Sequence, residues 1–180
     1  MMDSHFDTYL EMQRFVDFGD DDVENLKSLS SVFEKHGPKI TDRFYDSLLD
    51  YPKTASIIEG RVEPLKATHK RWMLDLFAGE YGRPFFDVQY RIGTVHVTQN
   101  INPEYVEAVT STLRTYGRLA IYEEMGGSDE ARDKANSLQK VLDLALMVIN
   151  LAYADERIVR MSKVTGMSRK LIENLVRKGA

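Results

Sequence analysis

From Asp129 to about Arg160 the chain forms one long run in which Leu138, Val141, Leu142, Ala145, Val148, Ile149, Ala152 and Tyr153 recur at three- and four-residue spacing. In the middle of that run the apolar residues cover more than one face, so the helix must pack on two partners. The stretch Asn102 to Met125 pairs with it, joined through Gly126-Gly127. No segment of any length alternates apolar and polar residues at period two, and no repeat or low-complexity tract occurs. These two facts together predict an all-α fold.

Upstream the pattern stays helical. Phe6, Leu10, Gln13 and Arg14 predict a short leading helix over residues 1–19, closed by Asp17-Phe18-Gly19. Asp20, Asp21 and Asp22 place negative charge at a helix start, where the macrodipole is positive. Val23, Leu26, Leu29, Ser30 and Phe33 continue the run to His36-Gly37-Pro38, which is expected to break it. A second helix is then expected from Pro38 to Asp50, and another from Glu63 to Ala78, stopped by Gly79. The stripe of the latter is Leu65, His69, Trp72, Met73 and Leu76, with Thr68 at its edge.

The 180 residues are enough for one domain with a sizeable core. A net charge of −4 argues against a general nucleic-acid binder. The absence of cysteine excludes disulfides, iron–sulfur clusters and thiolate chemistry, leaving His5, His36, His69 and His96 as soft-metal ligands. The N-terminus is too acidic and interrupted for a secretory signal, and no apolar run approaches the roughly 20 residues that span a bilayer. A cytoplasmic location is the default expectation.

In FFDVQYRIGTVHVTQNINPEYV, Val88, Ile92, Val95 and His96 share one helical face. Gly93 leaves room there for a flat ligand to press close, and Asn102-Pro103 closes this helix and opens the next. His96 is either an ordinary core histidine or an axial ligand to a haem iron. Aromatic and apolar residues nearby, among them Phe44, Trp72, Met73, Phe77, Phe85 and Phe86, serve either the core or a haem pocket. His5 and His36 are expected to be exposed and without function.

Three segments then resemble one family: ITDRFYDSLLDYP, EPLKATHKRWMLDLFAGEYG and RIGTVHVTQNINPEYV. They match, in order, an F-Y pair followed by leucine, an LK-x-T-x-K-R run ending in FAG, and an RI-x-x-x-H segment ending in P-x-[WY]. The chain is identified as a member of the sensor globins, the globin-coupled sensors and protoglobins, over about Asp20 to Ala154. The resemblance implies a globin fold with a short leading helix and two long final helices, and a haem-binding domain over residues 20–160. The basic segment 161–180 is expected to be either the start of a linker to an output module or a solvated helical tail.

By that resemblance His96 is the proximal ligand of haem b, and Ile92 and Trp72 contribute to the pocket. Tyr45 corresponds to the family's distal tyrosine, whose hydroxyl donates to a bound gas; the competing reading is a core tyrosine bonded to a carbonyl. Thr68 offers either a second hydroxyl to the ligand or a bond to its own helix. His69 departs from the family's usual apolar residue. It either ligates iron as a second histidine, finds a buried partner, or swings to solvent.

The implied function is a haem-based sensor of a diatomic gas, oxygen first, with carbon monoxide and nitric oxide as the other ligands, or of redox state. It is not itself an enzyme. Its expected partner is a second copy, docked through the last two helices by Tyr116, Leu119, Leu142, Leu146, Ile149 and Tyr153, some of which must face the core. The alternative is a haem-free helical interaction domain.

Overall fold

The computed structural model describes residues 2–178, and no strand occurs among them. The helices are α1 (Met2–Phe15), α2 (Asp20–Ser28), α3 (Ser30–Leu49), α4 (Pro52–Ile58), α5 (Val62–Asp75), α6 (Arg83–Thr98), α7 (Pro103–Met125), α8 (Asp129–Thr165) and α9 (Arg169–Lys178).

α8 is the spine. Ser128 caps it by accepting from the Ala131 N–H, and Asp129 and Glu130 stand in its first turn, matching the dipole. Its Val141, Val148 and Ala152 are fully buried, because α1, α2, α6, α7 and α9 all pack along it. Each of the two valine side chains contributes about 1.5–3 kcal/mol on leaving water, and the alanine methyl less. Two partners were expected from its apolar faces; it has five. By length and composition α8 also meets the requirement for a membrane span, but 56% of its apolar window is buried inside the fold, as in a core helix.

Asp22 shows how polar groups pin this arrangement. It accepts from Ser137 Oγ at 2.7 Å and from Lys140 Nζ at 2.9 Å, tying the start of α2 to α8. The aromatic residues Phe33 and Phe77 stack at 4.2 Å in the central core.

Two expected boundaries move. The first break falls at Leu29, whose N–H turns back to the Leu26 and Lys27 carbonyls, and α3 then runs unbroken through Pro38. A mid-helix proline forfeits one ladder hydrogen bond, a loss of about 3 kcal/mol that tertiary packing can offset. Here that packing is the burial of Phe33, Ile40 and Phe44 on either side of it. α5 ends at Asp75, before Gly79, because Leu76 and Phe77 close tighter turns onto Met73 and Leu74.

Three burial expectations also change. Val95 is 51% exposed, so the apolar face of α6 is narrower than its spacing suggested. His36 is half-buried against Glu124 at 2.7 Å, and His5 is half-buried 3.0 Å from Asp155.

Beyond Thr165 the chain turns at Gly166, whose φ of 70° favours glycine, and folds back as α9. Ile172 is buried and Arg169 pairs with Asp155 on α8.

Candidate functional site

An apolar cavity of about 240 Å³ is lined by residues of α3 to α8, with α5 and α6 both contributing to its walls. Its walls are helical stripes at i, i+3, i+4 and i+7 spacing, the pattern that puts four side chains on one face. α5 supplies Leu65, Thr68, His69 and Trp72; α7 supplies Val106, Val109, Thr110 and Leu113; α8 supplies Leu142, Ala145, Leu146 and Ile149. α3 adds Phe44, Tyr45 and Leu48, and α4 closes one end. From α6 only Ile92 and His96 enter, one turn apart.

The two imidazoles are therefore on different helices flanking one cavity. His96 Nδ1 lies 2.7 Å from the Ile92 carbonyl oxygen. A carbonyl only accepts, so Nδ1 carries the proton and donates, and Nε2 is a bare nitrogen. Burial lowers the His96 pKa, against the opposing effect of the Ile92 bond, and keeps the ring neutral. A neutral imidazole with its far nitrogen tied to a carbonyl is how histidine ligates metal.

His69 sits among three aromatic rings, with centroids at 5.2 Å to Phe44, 5.5 Å to Trp72 and 6.1 Å to Tyr45. Its Nδ1 is 3.0 Å from Thr41 Oγ1, while its Nε2 is buried without a hydrogen-bond partner among the described residues. Burial lowers its pKa to about 4. A buried nitrogen left unpaired costs on the order of 1–3 kcal/mol, a cost that a ligand at Nε2 would remove.

Tyr45 is 6% exposed, and its hydroxyl has no hydrogen-bond partner among the described residues. Desolvation raises its pKa to about 12, so it remains a donor at neutral pH. Thr68 lines the cavity, but its hydroxyl donates to the Pro64 carbonyl of its own helix. Trp72 donates from Nε1 to the buried Gln89 at 2.9 Å, bridging α5 to α6 at the cavity wall. Thr41 was missed in the sequence. Its signal was a polar residue on the stripe Thr41, Phe44, Tyr45, Leu48, at the spacing of the other walls.

The sequence model of the Protoglobin family matches residues 7–158. The chain belongs to the protoglobin family. Its fold is similar to the globin domain of the Geobacter sulfurreducens globin-coupled sensor, with a TM-score of 0.76 and 30% identity over 80% of this chain and 96% of that one. It is also similar to the heme-based aerotactic transducer HemAT of Halobacterium salinarum, 25% identical over 166 residues. That match covers 89% of this chain and 33% of the transducer, so the chain spans about a third of that relative's length. As a protoglobin the chain is expected to hold a haem, and the donor set fits one. The cavity is apolar, His96 offers a bare nitrogen, and His69 carries an unpartnered one.

Proposed function

We propose that this chain is the haem-binding sensor module of a gas-signalling protein, with haem b held by His96. The observation that carries the reading is the pair of neutral imidazoles flanking one apolar cavity, one of them with a buried nitrogen that has no hydrogen-bond partner among the described residues. When bound, haem supplies the iron at which a diatomic gas is recognised. The polypeptide supplies everything that makes the recognition selective.

His96 would hold the haem iron through Nε2, while the Ile92 carbonyl accepts from its Nδ1. His69, across the cavity on α5, would offer its unpartnered Nε2 as a second ligand to the iron when no gas is bound. Tyr45, protonated and unpaired, donates to a gas of partial negative charge such as oxygen, and Ile92 and Trp72 shape the walls. Thr68 contributes its methyl group rather than its hydroxyl, since the hydroxyl already serves Pro64.

Signalling runs through α6, which carries His96 and packs along α8. Leu142, Ile149 and Tyr153 are consumed by the core, so a homodimer interface on the last two long helices falls to the half-buried Tyr116 and Leu146 and the exposed Leu119. The segment 161–180 is the route toward an output module. Its own part is to sense rather than to catalyse, and sensing of oxygen accords with the aerotactic relative. A haem-free interaction domain would leave His69 Nε2 orphaned with no purpose, which favours the haem reading.

The test is the absorption spectrum of the purified chain. A Soret band with one haem per chain, lost in His96→Ala, is expected. Stoichiometric haem with an unchanged spectrum in that variant removes His96 from the ligand set.

A further inference from the structure

Thr41 lies on α3 one turn before Tyr45, and its side chain is fully buried. Other helical threonines in this chain turn their hydroxyls onto their own backbone: Thr94 to Tyr90, Thr98 to Thr94, Thr110 to Val106. Thr41 does not. Among the described residues its hydroxyl has one hydrogen-bond partner, His69 Nδ1 at 3.0 Å.

We propose that Thr41 is the positioning residue of the distal histidine, its Oγ1 accepting from His69 Nδ1–H so that Nε2 is left bare for the haem iron. This rests on the ligation reading given above. A neutral imidazole carries one proton, so the nitrogen that binds a metal must be bare and the other must be an N–H. A buried N–H needs an acceptor, and ligating histidines almost always find one. The rings of Phe44, Tyr45 and Trp72 box His69 and offer Nδ1 nothing. Thr41 is the acceptor. It does for His69 what the Ile92 carbonyl does for His96, so the cavity presents two imidazoles tied back by Nδ1. The two ties differ in strength of instruction. A carbonyl can only accept, whereas a hydroxyl is able to turn its proton toward Nδ1 and reverse the tautomer.

The experiment compares ferrous, gas-free holoprotein as wild type, Thr41→Val, Thr41→Ser and His69→Leu by absorption spectroscopy, with ¹⁵N-histidine spectra of the wild type. Valine keeps the shape and removes the acceptor. Thr41→Val is expected to lower the ratio of six- to five-coordinate haem by about ten-fold or more, the penalty of an orphaned N–H. Thr41→Ser is expected to stay within about two-fold of wild type, because the hydroxyl alone is required. The ¹⁵N spectrum should show His69 protonated at Nδ1. Should Thr41→Val not fold, Thr41→Ser still decides: loss of six-coordination in that variant overturns the proposal. A wild type that is six-coordinate, loses this in His69→Leu and keeps it unchanged or increased in Thr41→Val overturns Thr41's role alone. A five-coordinate wild type indifferent to His69→Leu overturns ligation by His69 and this proposal with it, while haem anchored by His96 stands.

Discussion

Gly93 on α6 meets Ile149 on α8 so closely that a Cβ on Gly93 would sit 2.5 Å from the Ile149 carbonyl oxygen and 2.7 Å from the Ala152 methyl. The missing side chain thus serves helix–helix approach, and not, as its place one turn before His96 suggested, the approach of a flat ligand. Gly93→Ala has to push α6 off α8, an overpacking cost of about 1–3 kcal/mol. At roughly 2–4 °C per kcal/mol for a chain this size, thermal denaturation should fall by several degrees. Haem retention should weaken in the same variant, since α6 carries His96. A melting temperature equal to wild type contradicts the close approach.

Asp155 gathers three elements around one carboxylate. Tyr90 of α6 and Arg169 of α9 donate to it, and His5 of α1 stands 3.0 Å away. Burial alone would raise its pKa, but the bonds from Tyr90, Arg169 and His5 outweigh it and hold it below the usual carboxylate value. Asp155→Asn keeps the shape and removes the charge, a loss of about 2 kcal/mol for a charged hydrogen-bond group. α9 should then release, seen as faster tryptic cleavage at Arg169 and Lys170. Unchanged cleavage kinetics would mean that Ile172 alone holds the helix down.

Stability should fall on acidification between pH 6.5 and about pH 4. His69 is held near pKa 4 in the folded chain against 6.5 for the free side chain, so in this window the unfolded chain binds a proton that the folded one refuses. The unfolded state therefore gains as pH drops through 6.5, and the loss is complete below about pH 4. At ~1.4 kcal/mol per unit the contribution is on the order of 3 kcal/mol at most. Urea titrations of wild type and His69→Leu across the window check this: the leucine variant should show the shallower slope.

Gas binding supplies the kinetic test of the distal side. If His69 occupies the sixth position, apparent affinity is reduced by the fraction of time that position is closed. His69→Leu should bind carbon monoxide faster, by stopped flow, and Tyr45→Phe should release oxygen faster through loss of its one donor. Equal association rates in wild type and His69→Leu would place His69 outside the ligand's path.

Helical period and the fold class were legible in the sequence, because they depend on neighbours within two turns; that His96 and the stripe of His69 face one cavity was implied only by the family resemblance. The run over 129–160 announced a buried central helix, and Asn102-Pro103 marked the junction of α6 and α7 where the structure has it. What the sequence could not rank was competition between local cost and distant packing. Pro38 reads as a break, yet Phe33, Ile40 and Phe44 keep α3 continuous across it. Gly93 reads as room for a ligand until Ile149 and Ala152, more than fifty residues on, are found filling that room. Thr41 reads as one polar residue on an apolar stripe, and it becomes part of the site only when α5 crosses α3 and sets His69 beside it. Likewise the basic stretch after Thr165 gives no local sign that it folds back, and the pairing of Arg169 with Asp155 and the burial of Ile172 are what lay α9 against α8. Periodicity is a property of a segment and is fixed by its own residues; each of these four outcomes is a contact between segments, whose energy exists only once both are in place.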